Sequence, residues 1–113
     1  MAELSTLARP YAKAAFEYAR ENNALAQWSE QLATCAAVAA DEGMGAVLDN
    51  PSLTDEQQAN TMNEVCGDAT GAEVKNFVRI LSSNKRLGLL AEIHSQFELY
   101  KANQEKSVDV EVV

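Results

Sequence analysis

Apolar residues recur at intervals of three and four along nearly the whole chain, and the recurrence is broken repeatedly by residues that end helices. Such a pattern has few solutions: short helices that each bury one stripe against the others. The clearest instance is LARPYAKAAFEYAR, residues 7–20. Ala8, Ala12, Ala15, Phe16 and Ala19 make a stripe that faces a core. Leu7, Tyr11, Ala14 and Tyr18 make a second apolar stripe beside it, for which the helix itself offers no cover. The helix is expected from about Leu4 to Glu21, capped by Ser5 or Thr6. Pro10 then falls close to the first turn, where a missing N–H costs little. Asn22 and Asn23 end it.

A second helix carries Leu25, Trp28, Leu32, Cys35, Ala36 and Ala39 at helical spacing and stops at Asp41 or Gly43. Met44, Val47 and Leu48 suggest a short third helix, closed by Asn50 and Pro51 because a proline disfavours helical geometry in the residue before it. Thr54 and Gln57 make a capping-box pattern for a fourth helix, with Gly67 just past its end. Thr70 and Glu73 repeat the pattern for a fifth, with Asn84 as a left-handed terminator. The sixth carries Leu87, Leu90, Ile93, His94, Phe97 and Tyr100 and fades near Asn103. Gln27, Glu30, Gln31, Gln57, Gln58, Asn60 and Asn63 read as solvated faces.

The tail changes period. SVDVEVV, residues 107–113, alternates apolar and acidic residues as a strand does. A lone strand of this length cannot bury itself. Either a partner supplies a sheet or the strand opens a further region of a longer protein; the second reading is preferred. The expected fold class is all-α: a six-helix bundle over residues 1–105, with a tail at 106–113 that begins a missing β-containing region.

Net charge is −8, and every charged residue from Glu21 to Glu73 is acidic. Such a surface repels nucleic acid and anionic lipid, so partners are expected to be proteins. No apolar run reaches the ~18–20 residues that span a bilayer. The N-terminus lacks the basic start and apolar core of a signal peptide. A cytosolic chain able to dock on a membrane complex is therefore expected, with no direct membrane insertion. Cys35 and Cys66 fall on apolar stripes and read as two small buried hydrophobes, reduced and slow to react.

A catalytic constellation is missing. His94 is the only histidine, and it sits among Leu90, Ile93 and Phe97 without a nucleophile or orienting acid in any triad pattern. A di-metal bundle would need Glu-x-x-His pairs, yet Ala91 stands three residues before His94. The five glycines are scattered and form no phosphate loop. The hydroxyls at 5, 6, 54 and 70 read as caps. No cofactor, no metal and no enzyme activity are expected. What remains is surface. In the fifth helix Val74, Val78 and Leu81 make one stripe, while Phe77 and Ile80 lie partly off it. Two helices thus carry arcs wider than one core contact needs. Either both are buried among several neighbours, or they flank a groove for an amphipathic helix.

At this level of detail the sequence resembles a known family. ARPYAKAAFEYA, residues 8–19, is similar to the N-terminal signature of the delta subunits of bacterial F-type ATP synthases, relatives of the mitochondrial oligomycin-sensitivity-conferring protein. Trp28, VCG at 65–67, VRILSSNKRLGLL at 78–90 and QFELYKA at 96–102 follow in matching order. The resemblance covers residues 1–105. It implies a six-helix N-terminal domain that caps the catalytic head by binding the N-terminal helix of an alpha subunit between its first and fifth helices. Tyr11 and Ala14 match one side of that groove, and Phe77 and Ile80 the other. Leu7, Tyr18, Asn76 and Asn84 match its margin. The resemblance further implies a missing C-terminal part that engages subunit b of the peripheral stalk, and a place at the cytoplasmic face of the bacterial inner membrane. The alternative is an acidic helical adaptor that recognises some other amphipathic helix.

Overall fold

The computed structural model describes the backbone of residues 4–112 and the side chains of residues 4–104. Among these residues there are six α-helices and no strand: α1 (Leu4–Glu21), α2 (Leu25–Ala40), α3 (Glu42–Leu48), α4 (Asp55–Cys66), α5 (Ala72–Ser83) and α6 (Leu90–Val112). Single turns of 3-10 helix at Gly67–Ala69 and Leu87–Leu89 lead into α5 and α6. The fold is the expected all-α bundle. α1 and α2 pack chiefly on α6, α4 and α5 form a second pair, and α2 also joins that pair.

The predicted core stripe of α1 is buried in full: Ala8, Ala12, Ala15, Phe16 and Ala19. Four of these five are alanines, so α6 can lie close against α1. Phe97 of α6 fills the space between them and meets the Phe16 ring edge-on, with centroids 5.9 Å apart. Leu32, Met62, Leu81, Leu90 and Ile93 complete a single core and are closed to solvent.

The helix ends follow local chemistry, with three corrections. α1 stops as expected: Asn23 takes a left-handed conformation, and the N–H groups of Asn23 and Ala24 reach the Arg20 and Ala19 carbonyls. Asp41 ends α2 and caps α3, its carboxylate accepting from the N–H groups of Gly43 and Met44. The capping box of Thr54 and Gln57 is present. Thr70 and Glu73, however, form no such box. α5 is capped by Gly71 with no side-chain bond, because the Lys75 ammonium donates to both oxygens of Thr70 and the Gly71 N–H donates to Gln31. Asn84 is not the left-handed residue either. α5 runs to it, its side-chain amide bonds back to the Ile80 carbonyl, and Lys85 takes the left-handed position at φ 59°. Ser5 and Thr6 lie inside α1, which places Pro10 within the helix rather than in its first turn.

The strand expected at the tail is also corrected. The backbone of α6 continues helically to Val112. A strand needs a pairing partner for its N–H and C=O groups, and a helix satisfies them within the segment. Continuation of α6 therefore prevails over the alternating pattern. Among the described side chains, every buried apolar one lies between Ala8 and Phe97. Deletion of residues 107–113 should accordingly leave the thermal midpoint nearly unchanged; loss of helical signal in circular dichroism would assign the tail a structural part.

Three residues assigned to solvated faces serve as clamps. Gln31 holds the Gly71 N–H at 2.8 Å. Gln58 donates to the Val47 and Leu48 carbonyls at the end of α3. Asn63 is buried and donates to the Lys75 carbonyl. Each ties a helix terminus or a facing helix, which a one-helix periodicity cannot register.

Cys35 and Cys66 are free and buried, as expected, with their sulfurs 3.8 Å apart. Burial, reinforced by Cys66 beside it, pushes the Cys35 thiol up from 9.0 to about 12. In the unfolded chain that thiol ionises first. Its contribution to stability is therefore whole below about pH 9 and is lost as pH rises toward about 12. Denaturant midpoints measured across this window should fall, and Cys35→Ala should flatten part of the fall.

Candidate helix-binding groove

The second stripe of α1 does not close on a neighbouring helix. Ala14 and Tyr18 are exposed, Tyr18 by 44%, and on α5 Ile80 is exposed by 46%. These side chains border one open cleft of about 220 Å³, with Ala15, Asn76, Phe77 and Glu73 also on its walls. The cleft exists because α1 leans on α6 while α5 leans on α4. Trp28 of α2 fills the space between them and forms the floor. Its ring centroid lies 5.6 Å from that of Tyr18 and 5.6 Å from that of Phe77, the latter edge-to-face.

The sequence-assigned residues divide accordingly. Ala14, Tyr18, Asn76, Phe77 and Ile80 come together on the cleft. Phe77 is nearly buried, so it supplies a wall from the core side rather than a free side chain. Leu7 and Tyr11 are half-buried against the core at the N-terminal half of α1, outside the cleft walls. Asn84 ends α5 and is occupied with the Ile80 carbonyl. Trp28 and Glu73 were not expected in the groove. Trp28 reads as a core residue of the second helix, and only the packing of α2 beneath α1 and α5 brings it there.

The walls are mainly carbon, with Asn76 and Glu73 as the polar rim on α5. A site of this kind suits an apolar helical face better than a polar substrate. A small side chain at Ala14 leaves room for a partner backbone to approach.

His94 stands 3.8 Å from Glu98, and the same Glu98 oxygen accepts from the Ser29 hydroxyl. The hydroxyl is thus bonded to the carboxylate and not to the imidazole, so no Ser–His pair is formed. No cluster of three or more His, Cys, Asp or Glu residues suited to a metal ion occurs among the described residues. No helix among them is long and apolar enough to cross a membrane.

Comparison with known proteins agrees with the reading of the motifs. Residues 7–113 match the family model described as ATP synthase delta (OSCP) subunit. The chain is 53% identical over 112 residues to the ATP synthase subunit delta of Teredinibacter turnerae (strain ATCC 39867 / T7901), covering 99% of this chain and 63% of that relative. It is 52% identical over the same length to the ATP synthase subunit delta of Cellvibrio japonicus (strain Ueda107), with the same coverage. The chain thus spans less than two thirds of the length of the relatives it matches. Matched along nearly its whole length by a family model and by relatives above half identity, the chain belongs to the ATP synthase delta (OSCP) subunit family.

Proposed function

We propose that this chain is the head-binding domain of a non-catalytic stator subunit. It receives the amphipathic N-terminal helix of an alpha subunit in the cleft between α1 and α5. The observation that carries this reading is the unclosed apolar cleft itself, in which Tyr18 and Ile80 remain half-exposed above Trp28. A folded monomer gains by burying such side chains, and an amphipathic helix laid along the cleft would bury them.

The mechanism is mechanical. A rotating shaft drives the catalytic sites only while the head is held still, and a subunit tied to both the head and a peripheral stalk holds it. Such a joint needs slow dissociation. Burial of about 400 Å² of apolar surface would contribute on the order of 10 kcal/mol gross at ~25 cal/mol per Å², before the cost of association. The connection to subunit b belongs to the part of the family's length beyond this chain. The complex works at a membrane, and the proposed position is peripheral, at its cytoplasmic face. An acidic adaptor for some other amphipathic helix would use the same cleft with a different ligand.

Trp28 is the only tryptophan and lies on the cleft floor, so it is a built-in reporter. Titration of the chain with a synthetic alpha N-terminal peptide should change Trp28 emission saturably at a one-to-one ratio. A peptide that leaves emission and calorimetric heat unchanged would defeat the reading. A peptide that binds while emission and the amide signals of Ala14 and Ile80 stay fixed would move the site elsewhere.

A further inference from the structure

We propose that Cys35 and Cys66 form an oxidative modification site, a buried dithiol that a small peroxide converts into a disulfide joining α2 to α4. The two residues are 31 positions apart and come from different helices, yet their sulfurs are in contact at 3.8 Å. A disulfide needs about 2.05 Å, so the sulfurs must close by less than about 2 Å. Neither thiol takes part in the proposed docking between α1 and α5.

The pair is asymmetric. Cys35 is closed to solvent, whereas Cys66 keeps a small exposed fraction. Cys66 is the last residue of α4, next to Gly67 at φ 54° and a single 3-10 turn. The Lys75 ammonium donates to the Gly67 carbonyl at this end of α4. Its positive charge opposes, at Cys35, the effect of burial on the thiol.

The chemistry balances without any group from the protein beyond the two thiols. The Cys66 sulfur attacks one oxygen of hydrogen peroxide, the O–O bond breaks, and Cys66 becomes a sulfenic acid with release of water. The Cys35 sulfur then attacks the Cys66 sulfur. The S–O bond breaks, the hydroxyl leaves with the Cys35 proton as a second water, and the S–S bond forms. Two thiols are oxidised and one peroxide is reduced to two waters. Cys66 is assigned the attack because it ends α4 and its residue is the less completely buried of the two, and Cys35 resolves because it is already in contact.

The test is to treat the full chain with hydrogen peroxide under native conditions and follow intact mass and peptide maps without reductant. The expected product is a monomer lighter by two hydrogens, in which one fragment pair links Cys35 to Cys66 and dithiothreitol restores both thiols. Cys35→Ala should instead accumulate a Cys66 sulfenic acid that dimedone traps. Cys66→Ala should leave Cys35 unreacted, since it has no opening of its own. A disulfide-linked dimer would overturn the proposal. So would a Cys66 sulfinic acid beside a free Cys35 in the unmodified sequence, or thiols that react only after the chain is unfolded by denaturant.

Discussion

Ala14→Asp should leave the domain folded and weaken its binding to an alpha N-terminal peptide on the order of a hundredfold or more. Ala14 is exposed and lines the cleft, so in the free protein the new carboxylate stays in water. The folding cost is then mainly the helix propensity difference, under about 1 kcal/mol. In the complex the same carboxylate would be enclosed between an apolar helix and Trp28, with Glu73 on the opposite wall adding repulsion of like sign. An unpaired buried charge costs several kcal/mol, and each 1.4 kcal/mol is about tenfold in affinity. Chemical denaturation and peptide titration on one sample separate the outcomes. A folded variant with unchanged affinity would take the partner out of this cleft. An unfolded variant would return Ala14 to the core and leave Ile80→Ser as the variant that tests the cleft from α5.

Phe97→Ala should cost about 3–5 kcal/mol of stability, the largest loss expected from any single truncation here. Phe97 is the largest of the fully buried side chains and stands where α6 meets the alanine face of α1. Its partner ring, Phe16, is met edge-on, an arrangement that adds about 0.5–1.5 kcal/mol to the area term. The cavity cannot collapse easily, because the alanines on the buried face of α1 carry only methyl groups, which cannot extend into it. A loss of this size lowers the thermal midpoint by more than about 10 °C in a domain of this length. Phe97→Leu, which keeps most of the volume, should recover the greater part. A loss under about 1 kcal/mol for Phe97→Ala would show that α6 is not the element on which α1 closes. Peptide affinity measured on the folded fraction should be unchanged, since Phe97 is not among the residues bordering the cleft.

Most of the helix boundaries were legible because their causes are local. Asn23 in the left-handed position, Asp41 as a cap and the Thr54–Gln57 box each act over three or four residues. The errors have non-local causes. Thr70 is drawn from its capping role by Lys75, Gln31 reaches across 40 positions to Gly71, and Lys85 rather than Asn84 turns the chain into α6. The alternation of residues 107–113 misled for the same reason. A period of two signals a strand only where a second strand accepts its hydrogen bonds, and the end of α6 already offered helical partners.

The sequence by itself determined the helical class, the number of helices and the alanine stripe that faces the core, because apolar period and cap chemistry are properties of adjacent residues. It also carried the family, through ARPYAKAAFEYA and VRILSSNKRLGLL. Tertiary structure alone decided which part of the second stripe stays open. Leu7 and Tyr11 are half-covered by the core while Ala14 and Tyr18 are exposed, though all four share one face of one helix. The difference lies in the placement of α2, whose Trp28 ring stands between Tyr18 of α1 and Phe77 of α5. The meeting of Cys35 with Cys66 was decided the same way. Periodicity fixes which side of a helix is apolar, and only the packing of several helices fixes which neighbour, if any, that side meets.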